Sequence, residues 1–175
     1  MTTVVLSIGS NVGDRMARLQ SVLDRLGTAV QAVSGVYETD AWGGVEQGPF
    51  LNAVLIADDP ELDGHGWLRC GQELEAAAGR VRGQRWGPRT LDVDLVTCHD
   101  RGVELTSRDD GLTLPHPLAH LRAFVLIPWL AVDLDAMLTV AGQSRPVQRL
   151  LAEIDRTERD SVRLTDLVLD LRTED

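Results

Sequence analysis

Four short runs of apolar residues stand out in the first hundred positions of the chain. They are rich in β-branched residues and have the length of strands rather than of helices. Residues 3–8, 50–57 and 91–97 predict three buried strands, and residues 29–39 predict a fourth strand with less regular alternation. The first half of the chain therefore predicts a buried sheet.

Two stretches between these runs have the periodicity of amphipathic helices, with apolar residues at steps of three and four. The first follows Asp14, a suitable N-cap, and ends at Gly27, a residue that favours helix ends. The second covers residues 60–79, with Pro60 in its first turn, where a missing N–H is tolerated. Both helices are predicted to pack on the sheet.

The resulting order, strand-helix-strand-strand-helix-strand, predicts an α+β fold with a ferredoxin-like split βαβ core (βαββαβ). In it an antiparallel sheet carries its helices on one face. Residues 118–132 predict an extra C-terminal element that is mostly helical. Of the last 21 residues, 155–175, 11 are charged, which indicates a surface element rather than core. No repeat or linker divides the chain, so we interpret residues 1–175 as a single domain.

Composition and charge narrow the class of protein. The chain has 175 residues, of which 43% are hydrophobic, and a net charge of −10. A nucleic-acid partner is disfavoured, since binding a phosphate backbone requires a basic face. No apolar run reaches the roughly 18–20 residues of a membrane span, and the N-terminus lacks the basic and apolar regions of a signal peptide. We therefore expect a cytoplasmic protein without a membrane partner.

Two acidic residues on the strand predicted over residues 91–97 are the strongest candidates for chemistry. Asp92 and Asp94 alternate with Leu91, Val93 and Leu95, so both carboxylates should lie on one face of the strand. Paired carboxylates repel each other, and an oxygen-only ligand set favours a hard cation such as Mg²⁺. The alternative is a solvated strand edge with two surface acids.

An arginine-rich segment lies immediately upstream of these acids. Every one of the 17 basic residues is Arg, and Arg80, Arg82, Arg85 and Arg89 fall within ten positions. Guanidinium groups next to a carboxylate-bound metal are suited to a polyphosphate, and Trp86 could stack on a flat heterocycle. A solvated loop with a packed Trp is the alternative.

Other polar positions have weaker signals. Gln72 and Glu75 are spaced to share one helix face, which could contact a nucleotide or simply face solvent. His116 lies in a rigid Pro-His-Pro turn and could be structural. Asn52 interrupts an apolar strand, so its amide needs either a backbone partner or a polar ligand.

The assembled motifs resemble the 6-hydroxymethyl-7,8-dihydropterin pyrophosphokinase family of folate biosynthesis. The resemblance covers roughly the first 130 residues, from IGSNVGDR through YET, FLNA and GRVR to RWGPRTLDVDL, LPHP and RAFVL. It implies transfer of the terminal diphosphate of ATP to the hydroxymethyl group of the pterin, with release of AMP. We expect a monomer that acts on these small molecules.

The resemblance also implies residue roles. Two Mg²⁺ ions would be held by Asp92 and Asp94, and catalysis would further involve Arg80, Arg82 and Arg89. The implied ATP-binding residues are Gln72, Glu75, Arg80, Arg82, Arg89, His116 and Arg122. The implied pterin-binding residues are Thr39, Trp42, Phe50, Asn52, Trp86 and Phe124, with the ring between Trp86 and Phe124.

The sequence is also compatible with two other functions. A metal-dependent nucleotidyltransferase or cyclase of palm type also mounts acids on a ferredoxin-like sheet, but it would release pyrophosphate. A small-ligand regulatory module would bind without turnover and would not need Asp92 or Asp94.

Overall fold

The structure is a computed structural model that describes residues 2–40, 47–79, 90–109 and 111–171. Its strands are β1 Thr2–Ser10, β2 Val30–Val33, β3 Tyr37–Thr39, β4 Phe50–Asp59, β5 Asp92–Asp100, β6 Val103–Glu104, β7 Ser107–Asp109, β8 Leu112–Leu114, β9 Met137–Val140, β10 Gln143–Pro146 and β11 Arg163–Leu164. Its α-helices are α1 Arg15–Leu26, α2 Gly64–Ala77, α3 Ala123–Val132, α4 Val147–Ala152 and α5 Arg156–Asp160. Single turns of 3-10 helix cover Gly27–Ala29 and Ala119–Leu121.

Seven strands form one antiparallel sheet in the order β11-β3-β4-β1-β5-β6, with β2 also paired to β4. The hairpins β7–β8 and β9–β10 form two small separate sheets. The central strand β1 pairs with β4 along its whole length and with β5 on its other side. The prediction of a mixed helix and antiparallel sheet fold is therefore confirmed.

Both faces of this sheet are covered. Val4, Leu6 and Ile8 of β1 pack in one apolar cluster with α1 and α2, whereas Val5 packs in a second cluster with α3 and α4. Because side chains alternate along a strand, β1 is buried on both sides. The two helices of the predicted core, α1 and α2, pack in the same cluster, and α3 and α4, which follow later in the chain, cover the other face. We call the face under α3 and α4 the α3 face.

Local capping explains where the first two helices begin and end. The Asp14 carboxylate accepts a hydrogen bond from the Ala17 N–H at 3.1 Å, and α1 ends at Gly27, as predicted. The second helix starts later than predicted. The Asp63 carboxylate, not Pro60, caps α2 by accepting the Gly66 N–H at 2.7 Å. An N-cap carboxylate satisfies an otherwise unpaired N–H, so it fixes the helix start more firmly than a nearby proline.

The strand predicted over residues 29–39 is two strands, β2 and β3. Ser34 lies between them, and its buried hydroxyl accepts the Val54 N–H at 3.0 Å. This side-chain hydrogen bond replaces one rung of the backbone ladder and breaks the strand. The C-terminal region also differs from the prediction of a purely surface tail, because Leu169 is only 3% exposed and belongs to the cluster under α1 and α2.

Within the residues described, no helix is both long and apolar enough to span a bilayer.

Candidate active site

The two predicted acids begin strand β5 and lie on the α3 face of the sheet. Val93 and Leu95 point into the opposite cluster under α1 and α2, and Asp92 and Asp94 alternate with them. Both acids are partly buried. The alternation of side chains predicted from the sequence thus places both carboxylates on the same face of the sheet.

A buried arginine offsets part of this negative charge. Arg122 immediately precedes α3, is 8% exposed, and lies with its Nη1 3.6 Å from the Asp94 Oδ2. Burial lowers the Arg122 pKa from its ordinary value, while Asp94 and Asp92 act in the opposite direction. The Arg122 guanidinium carbon also lies 5.5 Å from the ring centroid of Phe124. This distance allows a cation–π contact, so Phe124 and Arg122 are held together at the start of α3.

His116 is held next to the same charges by the backbone on both sides. Its N–H donates to the Val96 carbonyl of β5 at 2.9 Å, and its Nδ1 accepts the Leu118 N–H at 3.1 Å. Burial, followed by Arg122, lowers the His116 pKa to about 4, with Asp92 opposing. The ring is therefore neutral at pH 7. Because Nδ1 accepts a hydrogen bond, the single proton is assigned to Nε2, where it can donate to an anion.

A row of polar positions crosses the sheet beside the acids. Gly9 of β1 is the register partner of Asn52 in β4 on one side and of Asp92 in β5 on the other. Asn52 is 4% exposed, and its Nδ2 donates to the Thr39 Oγ1 at 2.7 Å. Register partners point to the same face, so Asn52 and Asp92 are about 10 Å apart, two strand spacings. Phe50, the register partner of Thr39, is partly exposed at the end of this row.

The absence of a side chain at Gly9 keeps space open in this row. A Cβ built on Gly9 would lie 2.7 Å from the Asn52 Oδ1 and 3.4 Å from the Phe50 ring. A glycine allows the buried amide to occupy that space. Gly9 was not among the site residues predicted from the sequence. Neither was Ser7, a buried hydroxyl whose register partner is Asp94. A polar residue within the apolar run TVVLSI was the available signal for Ser7.

The structure does not give the two candidate residues of α2 the same environment. Gln72 is exposed, whereas Glu75 is 5% exposed. The helix packs on the opposite sheet face, where Gly71 lies against Val93. The body of α2 thus lies across the sheet from the α3 face, and the roles of Gln72 and Glu75 in binding ATP stay predictions. The predicted residues Trp42, Arg80, Arg82, Trp86 and Arg89 lie outside the described residues.

A cavity of about 530 Å³ adjoins the site through His116. The hairpins β7–β8 and β9–β10 form parts of its wall, which also includes Arg108, Thr113, His120 and Thr139. The cavity was not anticipated from the sequence, because its wall comes from segments far apart in the chain. Arg108 and His116 both line this cavity.

The acids, the buried Arg122 and the neutral His116 on this face are groups that can position a phosphate and neutralise its charge. The sequence model of the 7,8-dihydro-6-hydroxymethylpterin-pyrophosphokinase (HPPK) family matches residues 5–134. The chain therefore belongs to the HPPK family and is a pyrophosphokinase.

Curated relatives support the same assignment. The chain is 68% identical over 169 residues to the 2-amino-4-hydroxy-6-hydroxymethyldihydropteridine pyrophosphokinase of Mycobacterium tuberculosis, covering 94% of this chain and 90% of that protein. It is 63% identical over 178 residues to the protein of the same name from Mycobacterium leprae, covering 98% and 93%.

Solved structures support the fold alone. The chain resembles the Plasmodium falciparum HPPK-DHPS wild type with a TM-score of 0.62 at 12% identity, over 87% of this chain. A second HPPK-DHPS structure from that organism, the S436F/A437G/A613T triple mutant, gives a TM-score of 0.64 at 10% identity over 93% of this chain. The chain spans 44% and 46% of the length of these two Plasmodium chains.

Proposed function

We propose that the α3 face is where the chain transfers the terminal diphosphate of ATP to the hydroxymethyl group of 6-hydroxymethyl-7,8-dihydropterin. The products are the pterin diphosphate and AMP, in folate biosynthesis. This assignment of the site rests on one observation, that the relevant side chains share one continuous face of the sheet. On it the acids Asp92 and Asp94, with Arg122 and His116, lie beside the buried amide of Asn52.

The amide end of this face suits a flat, hydrogen-bonding heterocycle. Asn52 is fixed by its hydrogen bond to Thr39, so its remaining donor and acceptor capacity is oriented before a ligand arrives. Phe50, the register partner of Thr39, supplies apolar ring surface at this end, and Phe124, which lies beside Arg122, is proposed for the other side of the ring. We assign the pterin to this end. Trp42 and Trp86 remain predictions for the same pocket.

The charged end suits the phosphates. Arg122 is buried next to the acids, and a neutral His116 can donate its Nε2–H to a phosphate oxygen without adding charge. Gln72, Glu75, Arg80, Arg82 and Arg89 remain predictions as further ATP contacts and catalytic groups. Their roles are implied by the family resemblance.

The donor set at the charged end fits Mg²⁺. Among the described residues, no group of three His, Cys, Asp or Glu side chains could hold a metal ion, so Asp92 and Asp94 offer a pair only. Mg²⁺ is commonly bound by one or two carboxylates, with substrate phosphates and water completing its coordination. We propose that this pair binds the two Mg²⁺ ions expected for the family. When bound, they supply charge neutralisation on the transferred phosphates.

The reaction places few demands on acid–base chemistry. The hydroxymethyl oxygen of the pterin attacks the β-phosphorus of ATP and loses its proton. The bond from that phosphorus to the oxygen bridging the α- and β-phosphates breaks, and AMP leaves with that oxygen. The protein's part is to hold the hydroxyl in line with this bond and to stabilise charge on the phosphate oxygens through Arg122 and His116.

We infer that the core follows the ferredoxin-like plan. In chain order, the four strand segments of this core are β1, then β2 together with β3, then β4, and finally β5. In the sheet, β1 lies between β4 and β5, so the first segment lies between the third and the fourth. We also expect a monomer without a nucleic-acid partner, supported by the net charge of −10, and a cytoplasmic location.

A product assay tests the reaction class. The protein is incubated with ATP, Mg²⁺ and 6-hydroxymethyl-7,8-dihydropterin, and AMP, ADP and pyrophosphate are separated by chromatography. We expect AMP, formed only when the pterin and Mg²⁺ are both present. Pyrophosphate would instead support the nucleotidyltransferase, and binding without turnover would support the regulatory module.

The same assay tests the acidic pair when it is applied to Asp92→Asn. This change keeps the side-chain size and removes a charge, so we expect kcat/KM to fall about 100-fold or more. Asp100→Asn is the matched control, because Asp100 ends the same strand far from the site. Near-normal turnover by Asp92→Asn would remove Asp92 from the catalytic groups.

A further inference from the structure

The C-terminal segment, residues 163–170, lies against the strand that carries Thr39. Strand β11 pairs with β3 through Arg163 opposite Glu38 and Leu164 opposite Tyr37. The N–H and hydroxyl of Thr165 both donate to the Val36 carbonyl, at 3.0 and 2.7 Å. Strand β3 has only three residues, so β11 covers much of the edge that β4 leaves open.

The far end of this segment is anchored on α1. Leu169 is buried in the cluster under α1 and α2. Gln20 and Asp170 exchange two hydrogen bonds, from the Gln20 amide to the Asp170 carbonyl and from the Asp170 N–H to the Gln20 oxygen, both at 2.9 Å. The segment is therefore attached at both ends and cannot shift without breaking core and backbone contacts.

Arg163 connects this anchored segment to the residues on both sides of Thr39. Its Nη2 lies 3.6 Å from the Glu38 Oε1 and 3.4 Å from the Asp40 Oδ1. Side chains alternate along a strand, so Glu38 points away from the face on which Thr39 meets Asn52. Arg163 thus holds β3 on one face, while on the opposite face Thr39 orients the buried amide of Asn52.

We propose that Arg163 is a positioning residue for the pterin half of the reaction. By bridging Glu38 and Asp40 it holds the Thr39 hydroxyl where it accepts the hydrogen bond from Asn52, and so keeps the Asn52 amide preorganised. It touches neither substrate. The inference rests on the proposed role of Asn52 and Thr39 in binding the pterin.

Steady-state kinetics of Arg163→Ala with both substrates varied tests this proposal. The expected result is a rise of about three- to tenfold in KM for the pterin, since exposed ion pairs each contribute little. KM for ATP and kcat are expected to stay within about twofold, because the phosphate end is not held by β3. Arg163→Lys keeps the charge and should restore most of the pterin KM.

Two further variants make the outcome specific. Arg156→Ala is the matched control, because the ion pair that Arg156 makes within the described residues is local, with Asp160 at 3.5 Å on α5, and the variant should behave as wild type. Asp40→Asn breaks one of the two bridges from the other side and should raise the pterin KM in the same direction by less.

The failures can be told apart. An unchanged pterin KM in Arg163→Ala would overturn the positioning role. An equal rise of the pterin KM and the ATP KM would also overturn it, because it would indicate a general loosening of the fold. Asn52→Ala, measured in parallel, should raise the pterin KM. If it does so and Arg163→Ala does not, only this inference fails. If Asn52→Ala has no effect, the pocket assignment fails and this inference with it.

Discussion

The ion pair between Arg122 and Asp94 shows how a single residue changes the interpretation of the acidic face. From the sequence, two acids on one strand are expected to repel and to need a cation. In the structure a buried guanidinium lies 3.6 Å from Asp94, so part of that need is met within the chain. Removing Asp94 would take a partner from a buried charge, which is costly.

His116 links the same site to the stability of the fold. Its pKa of about 4 lies below the ordinary value of about 6.5, so on acidification the unfolded chain takes up a proton that the folded chain does not. Stability is thus lost as the pH falls from about 6.5 towards 4. One proton accounts for at most about 1.4 kcal/mol per pH unit.

We expect the metal-free protein to lose more free energy of unfolding between pH 7 and pH 5 than the His116→Asn variant loses. Asn can still accept the Leu118 N–H but has no titrating ring, so the difference between the two profiles isolates the histidine. Urea unfolding at several pH values measures it. Parallel profiles would show that the His116 ring titrates normally.

At the scale of elements, the central strand β1 determines the width of the site. Its Gly9 separates the pterin-side amide of Asn52 from the phosphate-side acid Asp92, and any larger residue would enter that gap. Asn52 cannot move aside freely, because it is buried and bonded to Thr39. The backbone of β1 is therefore part of the site even though it contributes no charge.

Gly9→Ala should accordingly impair pterin binding. The added methyl group would lie within 3 Å of the Asn52 oxygen, and overpacking of this kind costs about 1–3 kcal/mol. We expect the pterin KM to rise about tenfold with a smaller effect on the ATP KM. Gly48→Ala is a suitable control, since among the described residues its new methyl group would meet the Asn11 carbonyl at 3.7 Å, an ordinary van der Waals distance. Equal kinetics for the two variants would contradict the assigned pocket.

Strong local signals explain which elements the sequence predicted correctly. Apolar runs identified β1, β4 and β5 to within three residues at each end, because each strand contributes apolar residues to the clusters on both faces of the sheet. The start of α2 and the division of β2 from β3 were missed. Each depends on one side-chain hydrogen bond. The Asp63 carboxylate accepts the Gly66 N–H and the Ser34 hydroxyl accepts the Val54 N–H, and composition does not predict which N–H a polar side chain will bind.

The candidate site shows the same division between local and distant information. The common face of Asp92 and Asp94 follows from strand alternation and was predicted from the sequence. The pairing of Asp94 with Arg122 and the cavity beside His116 join segments 20 or more residues apart, so no local pattern indicates them. The different burial of Gln72 and Glu75 likewise depends on what packs against α2.

At the scale of the whole molecule, the sheet is stabilised from both sides and along its β3 edge. The segments that complete it come late in the chain, with α3 and α4 on one face and Leu169 under the other. The sequence did not predict that Leu169 is buried. Residues 155–175 are largely charged, and a single buried leucine among many charges produces no periodic pattern. The C-terminal segment is consequently part of the folded unit that supports the site.

Replacing Leu169 by Ala tests this integration. Leu169 is 3% exposed, and truncating a buried leucine typically costs about 2–5 kcal/mol through lost burial and the cavity that remains. We expect the free energy of unfolding, measured by urea denaturation, to fall by about 2–3 kcal/mol, towards the lower end because the site is near the chain terminus. Val168→Ala is the matched control: Val168 is 74% exposed, so its change should stay within about 0.5 kcal/mol. If both variants lose the same small amount, the segment does not pack in the core, and the anchoring on which the role of Arg163 depends would be absent.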